Sequence, residues 1–367
     1  MQESPVIDKS NVNRFMCDNC GANMVFDPKV GKLACPYCNY AKEIVSDKTE
    51  ISERDFHEFL RPENQRLQPM AIDAMQVSCA TCGATVVFIP PETAKQCDFC
   101  GGKLVAQPKA ADPLVAPESV LPFALTDGQA HANLKSWTTT RWFAPSKLKT
   151  LAEHARTSSI YLPFWTFDSD STTDYTGERG DNYTESESYT ENGERKTRTV
   201  VKTRWSYAAG NVSRHFDDTP VPASKTVLPA YLESLQWNFS ELVPYEPAYL
   251  AGHKAQTYQV SLEEGFERFK QIAEQVIAGD VRADIGGDSQ QIHSMNAEFS
   301  NITFKHTLVP VYAGAYRFNN KVFQVVINGR TGEVHGERPY SWIKIAALVV
   351  FILIVVMIVA GIGSASR

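Results

Sequence analysis

The chain has 367 residues, 43% of them hydrophobic and 21% charged, and a net charge of −6. That is the composition of a globular protein with room for two or three domains. It speaks against a disordered polyelectrolyte and against a basic protein that holds nucleic acid by neutralising phosphates.

Residues 1–13 are polar and read as a flexible N-terminus. Then comes the pattern that organises the chain. Cys17-Asp18-Asn19-Cys20 is followed, after fourteen residues, by Cys35-Pro36-Tyr37-Cys38. Cys79-Ala80-Thr81-Cys82 is followed, after the same gap, by Cys97-Asp98-Phe99-Cys100. The two quartets use all eight cysteines. Zinc takes four soft ligands at tetrahedral corners, and two Cys-x-x-Cys turns facing each other supply them. With no corner left for water, each such site is structural, and two zinc ions are expected. A thioredoxin-like redox centre would instead follow a strand and open a helix. Here Gly21 and Gly83 lead into strand-like Asn-Met-Val-Phe and Thr-Val-Val-Phe.

The first ribbon is placed at 14–45, with Phe15, Met24, Val25, Phe26 and Leu33 as its core and Asp27–Gly31 as its turn. A unit this small depends on its metal for folding energy. Residues 46–75 form a helical linker, in which Ser52-Glu53-Arg54-Asp55 resembles an N-terminal cap before Phe56, Phe59 and Leu60. The second ribbon occupies 76–107 and a semi-extended linker 108–118. Residues 1–110 hold 12 Lys+Arg and 14 Asp+Glu, so the ribbons are not a basic module.

Residues 119–340 read as a larger mixed α+β domain with antiparallel meanders. Helices are expected over Asp127–Trp142 and Ser146–Arg156, and a strand over Tyr161–Phe167. The acidic trio Asp168, Asp170 and Asp174 reads as a solvated loop, lacking the glycine and terminal Glu of a calcium loop. Tyr183–Thr190 and Arg195–Trp205 flank an Asn192-Gly193 turn signal. Glu185, Glu187 and Glu191 on one arm should face Arg195, Arg198 and Lys202 on the other, so the basic run pairs with itself. Ser261-Leu262-Glu263-Glu264 is a capping box for a helix with an apolar stripe from Phe266 to Ile277, stopping near Gly279. A three-strand meander follows, over Thr307–Phe318, Lys321–Asn328 and from Glu333.

Ile345–Ile362 is a run of apolar or small residues long enough to predict one C-terminal transmembrane helix over 341–363, with a short tail at 364–367. Arg330, Arg338 and Lys344 precede it, so the expected placement is a single-pass protein of the inner (plasma) membrane, its bulk cytoplasmic and its C-terminus outside. No phosphate loop, nucleophile elbow or zinc-protease helix occurs, and His253, His293, His306 and His335 show no metal-pair spacing. No enzymatic role is expected.

The paired ribbons, Leu162-Pro163-Phe164-Trp165, the stretches Phe304–Tyr312 and Val326–Val334, and the apolar C-terminus together resemble the bacterial TFIIB-type zinc-ribbon membrane proteins. The resemblance implies an adaptor role, with flotillin-like (SPFH-domain) or phage-shock-protein-A-like proteins as partners. The expectation is therefore a membrane-anchored zinc-ribbon adaptor for protein–protein interaction. The alternative is a membrane-tethered nucleic-acid-binding ribbon protein, which the net charge of the ribbons disfavours.

Overall fold

The computed structural model describes residues 15–46, 50–71, 73–90, 92, 95–104, 108–145, 157–191, 194–319 and 321–365. The expected flexible N-terminus, the helix expected over Ser146–Arg156 and the Asn192-Gly193 turn lie outside them.

The first ribbon is a small antiparallel unit built on β1 (Val25–Asp27) and β2 (Lys32–Ala34). A connecting segment carries β3 (Arg54–Asp55) and the five-residue helix α1 (Phe56–Leu60). Asp55, not Ser52, caps α1: its carboxylate accepts from the Glu58 N–H at 2.7 Å. The second ribbon contains the hairpin β4 (Met75–Ser78) and β5 (Thr85–Phe88). Helix α2 (Asp127–Thr139) precedes two long strands, β6 (Thr157–Glu191) and β7 (Glu194–Pro222). After β8 (Lys254–Gln256) comes α3 (Leu262–Ile285), then β9 (Ser289–Phe318), β10 (Lys321–Asn328), β11 (Val334–Gly336) and α4 (Trp342–Ala365).

One sheet joins most of these strands. β6 is its axis, antiparallel to β7 on one side and to β9 on the other. The stretches Leu162–Trp165 and Val309–Tyr312, which look alike in sequence, are neighbours here: Leu162 lies opposite Val309 and Pro163 opposite Leu308. The run Tyr161–Phe167 is apolar at almost every position because both faces of β6 are covered. Ile160, Leu162 and Phe164 pack with Val309, Val311 and the second ribbon's Val86 and Phe99. Trp165 and Phe167 pack under α3, against Phe269, Phe304 and Phe216.

Ser261 caps α3 as expected, accepting from the Glu264 N–H at 3.2 Å. The helix does not stop at Gly279, whose Cβ position is open space. It runs to Ile285 and ends where Gly286 and Gly287 take φ values of +66° and +77°. Two further turns of helix thereby cover the sheet with Val281 and Ile285.

The C-terminal expectation is corrected. Among the described residues no helix is long and apolar enough to cross a membrane. The transmembrane helix over 341–363, the membrane as a partner, and the inner-membrane placement with cytoplasmic bulk and outside C-terminus are withdrawn with it. The flotillin-like and phage-shock-protein-A-like partners lose the membrane setting that motivated them. What the structure shows is the root of α4, where Lys344 Nζ donates to the carbonyls of Trp142 (3.1 Å) and Ala144 (2.7 Å).

The packing of α3 on β6 gives a test. Gly265 faces Trp165, and a Cβ there would sit 2.7 Å from Trp165 Cδ1. The indole cannot withdraw easily, because its Nε1 donates to the Val260 carbonyl at 3.0 Å in the buried core. In an exposed helix Gly→Ala stabilises by about 0.5–1 kcal/mol. Gly265→Ala is expected to destabilise by about 1–3 kcal/mol instead. A thermal melt that rises in this variant would contradict the packing.

Candidate metal centres

Each quartet is built from two copies of one backbone turn. In every copy the first cysteine's N–H and C=O are both bound within the turn. Cys17 N donates to the Ala22 carbonyl (2.7 Å) and its own carbonyl accepts from Gly21 N (2.9 Å). The same pair of bonds recurs at Cys35 with Tyr40 and Asn39, at Cys79 with Ala84 and Gly83, and at Cys97 with Gly102 and Gly101. The residue after the second cysteine must take a left-handed conformation: Gly21 (φ +71°), Asn39 (+60°), Gly83 (+73°) and Gly101 (+68°). Glycine does so without strain, and asparagine is among the few other residues that visit this region.

These turns bring the sulfurs together. Cys17 and Cys38 Sγ are 3.5 Å apart, as are Cys20 and Cys35. In the second quartet Cys79–Cys100 is 3.7 Å and Cys82–Cys97 is 3.6 Å. Within each quartet all four sulfurs lie within 4.8 Å of one another. A disulfide needs about 2.05 Å. Corners of a tetrahedron around zinc, with bonds of about 2.3 Å, are about 3.8 Å apart. The eight residues expected to ligate metal thus form two four-sulfur clusters whose geometry fits such an ion. In both, the first cysteine of each turn is buried, while the second is exposed or half-buried.

Crowding four thiols has an electrostatic consequence. Cys38 is drawn down to about 6, chiefly by the Tyr40 backbone N–H. Cys20 is held up at about 12; the Ala22 N–H favours its thiolate, but the thiols of Cys35, Cys38 and Cys17 prevail. One thiolate in a quartet suppresses the next, and a divalent cation removes that conflict by its own charge.

The two clusters are attached differently. The first ribbon meets the body through Val25, packed on Gly252, and through Phe26 N, which donates to the Ala251 carbonyl at 2.9 Å. The second is part of the main sheet: β5 pairs with β8, and β8 with β6. Its metal turn is also pinned. Asp98, between Cys97 and Cys100, forms a mostly buried ion pair with Lys254 at 2.9 Å. Gln324 donates to the Phe99 carbonyl at 3.0 Å, and Gln259 to that of Gly83 at 3.3 Å.

The remaining candidates do not converge. His253 and His306 are buried and held neutral by that burial, each pushed down to about 4. Nδ1 of His306 donates to the Val115 carbonyl at 2.6 Å, and His253 Nδ1 meets Ser159 Oγ at 2.8 Å. His293 and His335 lie near Glu178 and Glu333 respectively, and neither belongs to a quartet. The acidic trio is strand, not loop, and each carboxylate has its own partner. Asp170 pairs with His215 (2.7 Å), Asp174 accepts from Asn211 (2.7 Å), and Asp168 accepts from the Asp218 N–H (2.6 Å).

The chain is 27% identical over 336 residues to the uncharacterized protein YdjG of Bacillus subtilis (strain 168), an alignment that covers 91% of this chain and 92% of that one. No protein-family model matches the chain, and no solved structure matches it.

The difference in attachment makes the two centres unequal. Cys79→Ser and Cys17→Ser should each reduce bound zinc from about two to about one per chain. Cys79→Ser should lower the global melting temperature at least twice as much, because its ribbon shares the sheet's core. Equal effects in calorimetry would show that the second ribbon is not integral to the sheet.

Proposed function

We propose that this protein is a non-enzymatic zinc-ribbon adaptor, in which two structural zinc ions shape a scaffold and a projecting β arm engages protein partners. The observation that carries this reading is the arm. β9 starts at Ser289, opposite Gly180, and Asp288 accepts from the Asn182 N–H; from Tyr183 on, β6 and β7 pair only with each other among the described residues. From Tyr183 to Glu191 the ribbon projects roughly 30 Å at about 3.3 Å per residue. A two-stranded ribbon of this kind is marginal alone in water. Here one face is reinforced by ion pairs: Lys202 with Glu185 (2.7 Å) and Glu187 (2.9 Å), Arg198 with Glu187 (3.3 Å), and Lys196 with Glu191 (2.8 Å). Lys196, Arg198 and Lys202 are thus neutralised within the arm, which supports a protein rather than a nucleic-acid ligand. Arg195 lies opposite Thr190 instead of the glutamate expected for it.

Between those pairs the arm and its base expose large side chains, Tyr207 and Val201 most fully, with Tyr183, Tyr189 and Trp205 about 40% exposed. Exposed tyrosine and tryptophan on a stiff support are favourable anchors for a protein interface. The resemblance to TFIIB-type ribbon proteins supports the same reading, and the similarity to YdjG extends over nearly the whole length of both chains.

Replacing 183–203 by Asn-Gly should leave zinc content and the melting temperature of the body near the parent values. Photoreactive residues at Tyr189 and Tyr207 should capture discrete protein species in intact cells, and the arm-deleted chain should lose those partners. An arm-deleted chain that keeps them would contradict the proposal, and capture of nuclease-sensitive material would favour nucleic acid.

A further inference from the structure

Between the two ribbons the chain crosses the body as a short strap, residues 53–60, docked on the long sheet. β3 pairs with β9, Arg54 opposite Phe304 and Asp55 opposite Thr303. Phe56 packs on Phe266 and Phe167, and Phe59 on Phe304. On one side of the strap Arg54 forms an ion pair with the buried Glu118. On the other, Glu53 enters a polar cluster over the sheet. Its Oε1 is 2.9 Å from Lys305 Nζ, and its Oε2 accepts from Thr303 Oγ1 at 2.7 Å. Lys305, itself buried, is also 2.6 Å from Asp218 Oδ1. The fourth member is Asp168 on β6, 9% exposed, whose carboxyl group hydrogen-bonds that of Glu53.

Two carboxyl groups hydrogen-bonded to each other must share a proton, since one oxygen has to donate. The charges agree. Three carboxyl groups, Glu53, Asp168 and Asp218, surround the single cation of Lys305. Nearby, His215 is paired with Asp170 and Arg54 with Glu118, while on the strap itself His57 is exposed beside Phe56. Asp55 caps α1, and on α1 Glu58 pairs outward with Arg61.

We propose that this strap is a proton-operated latch: with a proton between Glu53 and Asp168 it stays docked, and loss of that proton sets two carboxylates against each other and releases it. The inference rests on the fold and not on the adaptor reading. Burial, and then the neighbouring Glu53, hold Asp168 up at about 7, against the Asp218 N–H and Lys305. Burial also opposes the charge on Glu53, but its bonds from Asp168, Thr303 and Lys305 outweigh this and bring it to about 2. The docked strap therefore binds one more proton than the released strap between the ordinary carboxylate range and pH about 7. Docking weakens as pH rises through that window and levels off above it. Glu53 adds the opposite slope only in strong acid, as pH falls from the ordinary glutamate range toward 2.

The latch lies on the segment between the two ribbons, so its release would loosen that connection while Phe26 N, hydrogen-bonded to the Ala251 carbonyl, still holds the first ribbon to the body. Hydrogen exchange on the full, zinc-loaded chain tests it, with intrinsic rates corrected for pH. Protection of the amides of 54–60 should fall on the order of tenfold between pH 5 and pH 8, while that of 266–281 in α3 stays constant. Asp168→Asn keeps a donor for Glu53 and should hold the strap protected at both pH values. Should that variant not fold, Glu53→Gln removes the like charge and should also abolish the pH dependence. Unchanged protection in the parent chain, or a fall that persists in the variant, would overturn the proposal.

Discussion

Convergence of four cysteine sulfurs, twice, is the constraint on which the rest of this structure depends. Neither ribbon has an apolar core of its own large enough to hold it: Cys17, Met24, Leu33 and Cys35 cluster with only Ala248 and Ala251 outside the first ribbon. The turns spend their backbone hydrogen bonds on holding the first cysteine of each pair, and the sulfurs they aim inward are too close to ionise together. A divalent ion bound there would resolve both problems, closing the ribbon and absorbing the charge.

From the second of these centres the order passes into the sheet. β5 carries the ribbon's hairpin to β8, and β8 carries it to β6. β6 then serves two purposes along its length. Near its start it is buried on both faces and is the centre of the molecule. Near its end, with only β7 beside it, it becomes an arm whose stability comes from cross-strand ion pairs rather than burial. The same continuous strand thus links the scaffold that carries a four-sulfur cluster to the exposed surface proposed to act on partners.

The features legible in the sequence are those written locally. Cys-x-x-Cys at a fixed gap gave the quartets, the alternating Tyr/Thr/Glu and basic runs gave the pairing of β6 with β7, and Ser261 with Glu264 gave the start of α3. Long-range pairing was not legible. Nothing near Thr85–Phe88 shows that it pairs with Lys254–Gln256, because a four-residue strand has the same pattern in a free ribbon as in a large sheet. Gly279 resembles a helix stop, yet the left-handed turn falls at Gly286, where the chain reverses into β9. Asp168, Asp170 and Asp174 resemble a loop because their partners, Glu53, His215 and Asn211, lie far away in sequence. The apolar C-terminus set an expectation that no described helix meets.

X-ray absorption at the zinc edge of the purified chain, with metal content measured on the same sample, tests the central claim most directly. The account predicts about two zinc ions per chain, each with four sulfur neighbours at about 2.3 Å and no nitrogen or oxygen in the first shell. One ion or none, a mixed sulfur and nitrogen shell, or sulfur–sulfur bonds in place of metal would contradict it.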